Sequence, residues 1–396
     1  MILTQTRAIF VDAFRELNAR KLFWITLGLS LLVVLVFAML GIDPNKGLTF
    51  AIWTIPGYEE FAKRVPADLF YRFWMISIGV NVWLAWVATI IALISTAGIV
   101  PAMVTSGAID TMLSKPIGRV RLFLTKYVTG LLFVVLQVGV FVVGCILVIG
   151  LRAGDWEWGL LWAIPLVTLF FSYLFSISAL VGLISKSPLT AVLVTALVWF
   201  LIFLVNLADG IMLQIRSQFE FQRDMAQVQL SYQPEQIEQL EALLAEEEAA
   251  GEAEDSRTAR RLERARERLA DAESDLQEAQ DNIDGVSTWY GYTFMLKTTL
   301  PKTGETVALI ERWLIDTSEL ADVFPDQFGA QQVDPDGGDG GGEDSLPSTP
   351  SEVVPAEMRV QQAIRSRSTL WVIGTSVVFE VLILGVACLI FARRDF

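Results

Sequence analysis

Six long runs of apolar residues constrain this chain more than any other feature of its sequence. Five of the runs carry no charge, and the sixth carries only Glu380. The runs span 22–40, 73–101, 127–151, 160–185, 189–208 and 369–392. Each is long enough, at ~1.5 Å per helical residue, for the ~30 Å hydrocarbon core of a bilayer. The sequence therefore predicts an all-α integral membrane protein with six transmembrane helices.

Charge is distributed unevenly and marks out a large soluble insert. Residues 213–368 hold 32 of the 44 acidic residues and 14 of the 30 basic ones, a net charge of -18. The rest of the chain carries a net charge of +4. The acidity therefore belongs to a segment between the fifth and sixth spans, and the membrane part is mildly basic.

Lys and Arg near the span ends predict the orientation of the helices. With the N-terminus inside, eleven basic residues flank the cytoplasmic ends of the spans. The short outer loops hold five, namely Lys46, Lys63, Arg64, Arg72 and Arg152. This bias predicts that both termini are cytoplasmic, that the acidic insert is extracytoplasmic, and that the protein resides in the cell inner (cytoplasmic) membrane.

Flanking segments complete the expected domain organisation. Residues 1–21 contain an amphipathic pattern and predict a helix lying along the inner membrane interface; the alternative is a cytoplasmic extension of the first span. Residues 286–332 predict a small packed segment with a short amphipathic helix near Ala308–Leu314, and 333–352 a flexible linker. Residues 353–396 hold a juxtamembrane segment and the last span. Aromatic residues of the first outer loop, Trp53, Tyr58, Phe61 and Phe70, are interpreted as belt residues.

A seven-residue repeat predicts that residues 213–285 form a helical hairpin. Its second arm alternates large and small residues at a/d positions, which suits close antiparallel pairing with an upstream arm. Pro234 is expected to kink or to start the upstream arm. The seam residues are Ile237, Leu240, Leu244, Leu262, Ala265, Leu269, Ala272, Leu276, Ala279 and Ile283. The alternative is a single solvated helix that pairs with another subunit.

Catalytic and metal-binding signatures are absent from the sequence. There is no histidine, and the two cysteines, Cys145 and Cys388, both lie inside apolar runs. No phosphate-binding loop, CxxC or HExxH pattern occurs. We therefore expect no catalytic activity and no cofactor or metal site in this chain.

Glu380 is an ionisable residue near the middle of the sixth span. Such a group is costly in a membrane and normally faces the helix bundle or a water-filled path. One interpretation makes it part of a translocation route or a proton-sensitive switch. The other makes it a neutral or paired group bonded to a neighbour such as Gln137 or Asn81.

The longest inner loop, 103–126 between the second and third spans, either caps the bundle or docks a cytoplasmic partner. Within it, the stretch GAIDTMLSKPIGR at 107–119, followed by Lys126, resembles the motif of type-two ATP-binding cassette (ABC) transporter permeases. The resemblance covers residues 1–212 and 369–396. It implies that this stretch is the coupling helix that contacts the ATPase. The implied contact residues are Gly107, Ile109, Asp110, Met112, Leu113, Ser114, Lys115, Pro116, Ile117 and Arg119.

The resemblance also implies partners and a mechanism. A separate ATPase subunit would hold ATP and Mg²⁺. A second copy of this chain or a paralogue would complete the membrane pathway, and the expected direction of transport is export. An extracytoplasmic protein is a further candidate partner at the hairpin, and nucleic acid is not expected. The chain departs from the family where many members carry a glutamate near position 100, since Val100 and Pro101 stand there. Alternatives are a mechanotransmitting ABC subunit or an envelope-complex anchor whose outer coiled coil relays motion to a partner.

Overall fold

A computed structural model describes residues 21–43, 45–105, 118–250, 257–315 and 353–393 of the chain. The described part is predominantly helical, and six of its helices are long and apolar enough to cross a membrane. The chain is therefore a multi-pass membrane protein. The predicted interfacial helix (1–21, apart from Lys21), most of the coupling stretch and the linker 333–352 lie outside the described residues.

The described elements follow one another in this order. The helices and strands are α1 Lys21–Met39, β1 Leu40–Asp43, β2 Gly47–Phe50, β3 Trp53–Ile55, α2 Glu59–Arg64, α3 Ala67–Trp74, a π-type helix Met75–Ala88, α4 Thr89–Thr96, α5 Ile99–Thr105, α6 Arg119–Arg152, a 3₁₀ helix Trp158–Trp162, α7 Ala163–Ser185, α8 Pro188–Ala250, α9 Arg257–Thr299, α10 Thr303–Leu314, α11 Ala356–Ser366 and α12 Thr369–Arg393. The described chain divides into two compact units. The first comprises 1–204, 297–328 and 368–396, and the second comprises 205–296 and 329–367.

Helix α7 forms the centre of the first unit. It packs against α6, α12 and α10, and 72% of its apolar window is buried, against 22% for α12. Phe171, Tyr173 and Leu174 are fully buried on it. A helix that is mostly apolar on all sides can be enclosed by other helices. The helices around α7 therefore keep outward faces of large apolar side chains.

A small antiparallel sheet follows the first apolar helix, and the all-α prediction did not include it. Its order is β1-β2-β3, with Gly41 opposite Thr49 and Phe50 opposite Trp53. Strands of three or four residues are too short to show a period-two pattern, so the sequence carried no clear signal for them. Of the predicted belt residues, Trp53 and Tyr58 are exposed, Phe61 is half-buried and Phe70 is buried.

In the second unit, α8 and α9 run antiparallel in one register. Three contacts define it: Arg266 pairs with Glu241 at 2.6 Å, Thr258 Oγ1 donates to Glu247 at 2.7 Å, and the Arg216 guanidinium lies 5.5 Å from the Tyr290 ring centroid. The numbers of two residues that face each other across the pair of helices thus add up to about 506. Five of the predicted seam residues are buried, namely Leu262, Ala265, Ala272, Ala279 and Ile283. The other five are half-buried, namely Ile237, Leu240, Leu244, Leu269 and Leu276.

Pro234, expected to kink or to start the first arm, lies inside α8 and does not start it. Two features of this unit differ from the sequence expectations. Helix α9 extends to Thr299, so part of the segment expected to be a separate packed region continues the second arm. A third helix, α11, joins the pair through Arg359, which contacts Asp224 at 2.6 Å. The sequence did not predict the position of α11, because its charge pairs join residues more than 130 positions apart, and local patterns do not reveal such pairs.

Candidate functional site

The predicted coupling stretch is described only at its end. Gly107, Ile109, Asp110, Met112, Leu113, Ser114, Lys115, Pro116 and Ile117 lie outside the described residues. Arg119 is the first residue of α6, and its Nη1 donates to the carbonyl oxygen of Ala392 at 3.2 Å. The residues expected to form the last part of the loop, up to 126, belong to helix α6. Lys126 is buried within that helix.

Glu380 lies on α12 and joins three helices of the first unit. Its side chain is buried, at 9% exposure. The Tyr127 hydroxyl of α6 donates to Oε1 at 2.9 Å, and the Ser172 hydroxyl of α7 donates to Oε2 at 2.8 Å. Each carboxylate oxygen therefore has its own donor, which compensates part of the desolvation of a buried acid.

Each of these two hydroxyls also has a backbone acceptor within reach. Tyr127 Oη is 2.9 Å from the carbonyl oxygen of Ser172, and Ser172 Oγ is 2.7 Å from that of Leu169. A hydroxyl donates one proton at a time. When Glu380 is ionised, both hydroxyls donate to the carboxylate. When Glu380 is protonated, both hydroxyls can donate to the backbone carbonyls, and the acid donates its proton to one of the hydroxyl oxygens. The cluster can therefore hold either protonation state without leaving a buried polar group unsatisfied.

Glu380 is not bonded to either partner considered from the sequence. Gln137, on α6, is buried, and neither Nε2 nor Oε1 has a hydrogen-bond partner in the described part of the chain. Asn81 is half-buried on the π-type helix. The expected partners were wrong because the packing of α6, α7 and α12 decides which polar side chains meet at one level of the bundle, and hydropathy does not reveal that packing.

One helical turn before Glu380, the chain of polar contacts continues to a buried lysine. Ser376 Oγ accepts the backbone N–H of Lys302 at 2.9 Å and donates to the Val372 carbonyl at 2.8 Å. Thr306 Oγ1 donates to the Lys302 carbonyl at 2.8 Å. Helix α10 is thereby fixed against α12 through hydrogen bonds at its first turn.

Lys302 is fully buried and its ammonium group is enclosed by acceptors. Nζ lies 3.3, 3.2 and 3.3 Å from the carbonyl oxygens of Lys297, Thr298 and Leu300. It also lies 4.4 Å from the centroid of the Trp371 ring. Carbonyls at a helix C-terminus lack intrahelical donors and attract cations. Lys302 therefore caps the last turn of α9 from inside the first unit.

Charged pairs surround α10 at both ends. Lys297 Nζ contacts Glu305 at 2.6 Å near its start. At its end, Arg72 contacts Glu157 at 3.3 Å and Asp68 at 3.2 Å, and donates to the Leu314 carbonyl at 3.3 Å. These partly buried pairs tie α10 to α3 and to the 3₁₀ helix. The short helix is thus held in place by polar contacts as well as by its buried apolar face.

The cluster around Glu380 combines one carboxyl group with two hydroxyl donors. In the described ranges, no group of three or more His, Cys, Asp or Glu side chains could hold a metal ion. Sequence reasoning singled out Glu380 but missed Tyr127, Ser172 and Lys302. A lysine directly after Pro301 at a helix end was the one available signal, because basic residues favour helix C-termini.

Comparisons with known proteins return nothing: no protein-family model, no curated protein and no solved structure matches this chain.

Proposed function

We propose that this chain is the transmembrane permease subunit of an ABC transporter, forming the translocation pathway for export and coupling to separate ATPase subunits. The observation that carries the proposal is the motif at 107–119, which stands between the second and third of six apolar helices. Two copies, or this chain and a paralogue, form the pathway. ATP and Mg²⁺ bind to the ATPase pair, and the termini of this chain and the 107–119 stretch lie on the ATPase side.

Contacts beside the coupling stretch support a route for force. Arg119 bonds the Ala392 carbonyl, and the Phe123 and Phe391 rings lie 5.6 Å apart. The start of α6 and the end of α12 therefore touch where the stretch enters the bundle. A displacement of residues 107–119 acts on both helices together.

Helix α6 can carry such a displacement deeper into the bundle. It is an unbroken helix of 34 residues. Tyr127 lies eight residues after Arg119, or ~12 Å along the axis at helical rise. Because Tyr127 is hydrogen-bonded to Glu380, a shift of α6 changes the distances in that cluster. Closure of the ATPases on ATP then rocks the helices between inward-open and outward-open states, which is alternating access driven by a partner.

Charge reversal in the coupling stretch tests the proposal. The chain is purified from its native host with any nucleotide-binding subunit bound to it, and ATP hydrolysis and transport are measured in proteoliposomes. Lys115→Glu or Pro116→Ala should uncouple hydrolysis from transport. Lys186→Glu is the matched control, since Lys186 is an exposed cation of the other predicted inner loop. Full transport-coupled turnover in both test variants, or failure to recover any nucleotide-binding subunit with the purified chain, contradicts the proposal.

A second candidate is a mechanotransmitting ABC subunit or an envelope anchor, in which an outer coiled coil relays motion to a partner. The length of the two arms favours it, since α8 continues from the fifth apolar run to Ala250 and α9 contains 43 residues. The register allows a clean shortening: residues 232–274 are replaced by a short Gly-Ser turn, so that 231 and 275 stay opposite each other. A transporter keeps ATP-dependent substrate movement after this change, a relay loses all output, and an anchor never recovers an ATPase in pull-downs.

A further inference from the structure

The small sheet of the first unit forms one wall of a polar cleft. The cleft has a volume of about 350 Å³ and opens to the surface. Its lining comes from the sheet, from the third helix of the chain and from the end of α6. The lining residues are Gly41, Ile42, Asp43, Lys46, Thr49, Ala51, Ile52, Thr54, Tyr71 and Arg152. We infer that this cleft binds the phosphate group of a phospholipid of the surrounding bilayer.

The Arg152 guanidinium is held with one edge turned to the cleft. Its Nε and Nη2 both donate to the Ala38 carbonyl oxygen, with Nε at 3.1 Å. Nη1 lies against Gly41, where a Cβ atom would be 3.5 Å from it. Gly41 has no side chain that could cover Nη1, and Arg152 is one of the residues that line the cleft. Bonding through one edge fixes a planar donor, and phosphate is the anion that such a donor geometry suits.

Further donors line the same space. Lys46 contributes an exposed ammonium group, and Thr49 and Thr54 contribute hydroxyls. Asp43 is the single acid in the lining, and its Oδ1 accepts the backbone N–H of Asn45 at 2.8 Å. The lining therefore carries two positive charges and one negative charge. Its net charge of +1 complements the single negative charge of a phosphodiester.

The position of the cleft selects a lipid as the occupant. Three apolar helices meet here at one end of the bundle. Helix α1 ends at Met39, α6 ends at Arg152, and α3, which opens the second apolar span, begins at Ala67. The ends of spanning helices lie at the level of the lipid headgroups. Ile52 and Trp53, at the tip between β2 and β3, are 88% and 68% exposed. Exposed Trp and Ile beside cationic side chains suit the boundary between headgroups and acyl chains.

Lipid binding by the purified full chain tests this inference independently of any ATPase. The affinity for dioctanoyl phosphatidylglycerol is measured by native mass spectrometry in a delipidating detergent, with inorganic phosphate as a parallel probe. The test variants are Lys46→Ala/Arg152→Ala, which removes both cations, and Gly41→Ala, whose methyl group would collide with Thr49 Oγ1 and occupy the cleft. The matched control, Lys63→Ala/Arg64→Ala, makes the same charge change on exposed residues of the same loop.

The expected result is that both test variants bind the phospholipid about tenfold more weakly than wild type, since a charge-assisted hydrogen bond contributes that much or more. The control should stay within about twofold, as exposed cations outside a cleft contribute little. If the Arg152 change unfolds the protein, Lys46→Ala alone decides, compared with Lys63→Ala. The hydrogen bond that Lys46 makes comes from its backbone N–H, which donates to the Asp43 carbonyl, and alanine keeps it. Equal binding by test and control variants, or inorganic phosphate bound as tightly as the phospholipid, would overturn the inference.

Discussion

A double-mutant cycle between Tyr127 and Glu380 tests whether the buried acid is a charged acceptor. Tyr127→Phe removes the donor that lies 2.9 Å from Oε1, and Glu380→Gln keeps the shape of the acceptor but removes its charge. In wild type, the first change leaves a carboxylate oxygen without its donor. In the Gln background, it removes only a bond between neutral groups. The cycle therefore isolates the part of the interaction that depends on charge.

The magnitudes separate the two cases. A hydrogen bond to a charged acceptor contributes about 1.5–3 kcal/mol, whereas an interhelical bond between neutral groups in a membrane averages about 0.6 kcal/mol. Both oxygens of Glu380 have a hydroxyl donor, as a charged acceptor would require. We therefore expect Tyr127→Phe to lower the free energy of unfolding by about 2 kcal/mol in wild type and about 0.6 kcal/mol in the Gln background.

Reversible unfolding by SDS in mixed micelles provides the measurement, with the fluorescence of the chain's 12 tryptophans as the signal. Tyr71→Phe is the matched control: its hydroxyl donates to the Leu40 carbonyl at 2.9 Å, away from Glu380. Its effect should be the same in both backgrounds, because distant sites add. A coupling energy between Tyr127 and Glu380 below about 0.5 kcal/mol would refute the reasoning.

The remaining predictions concern packing, capping and charge. Lys302→Met should lower the free energy of unfolding by about 3 kcal/mol in the same SDS titration, because three backbone carbonyls lose a charged donor. Gly130→Ala should destabilise by about 1–3 kcal/mol, since its Cβ would lie 2.6 Å from a buried ring, whereas Gly139→Ala meets nothing closer than 4.0 Å and should be neutral or slightly stabilising. Partial burial alone would raise the pKa of Asp224, but hydrogen bonds and charges from Arg223 and Arg359 lower that pKa below its ordinary 3.8. A lowered folded-state pKa stabilises above pH 3.8 and is lost as the pH falls below it, so Asp224→Asn should remove this acid-dependent loss from thermal unfolding curves recorded between pH 6 and pH 3.

The second unit shows how far a sequence pattern reaches. The seven-residue spacing of Leu262, Leu269 and Leu276 predicted one face of α9 as a seam, because helical periodicity is a local property. The same pattern did not predict that Arg359 would bring a third helix to Asp224, 135 residues away in sequence. Nor did it decide whether Pro234 starts α8 or lies within it. Such features depend on neighbours that are remote along the chain.

The buried cluster around Glu380 shows the same limit of sequence-based prediction within the apolar helices. Sequence alone identified Glu380 as unusual, since one charge in an apolar run is visible without a structure. It did not identify Tyr127 and Ser172 as the donors, because each lies in a different apolar helix and neither is rare in such a helix. The π-type segment, the sheet after α1 and the cleft beside it carried no clear signal either.

By itself, the sequence determined the number and positions of the apolar helices, the acidic insert between the fifth and sixth, and the absence of histidine chemistry. These follow from the transfer free energies and charges of residues counted along the chain, which need no knowledge of neighbours. Only the tertiary structure decided that Glu380 meets two hydroxyls, that Lys302 caps α9, and that Arg152 faces a cleft behind Gly41. These depend on how apolar helices rotate and pack against one another, and many rotations bury the same apolar area while bringing different polar atoms together.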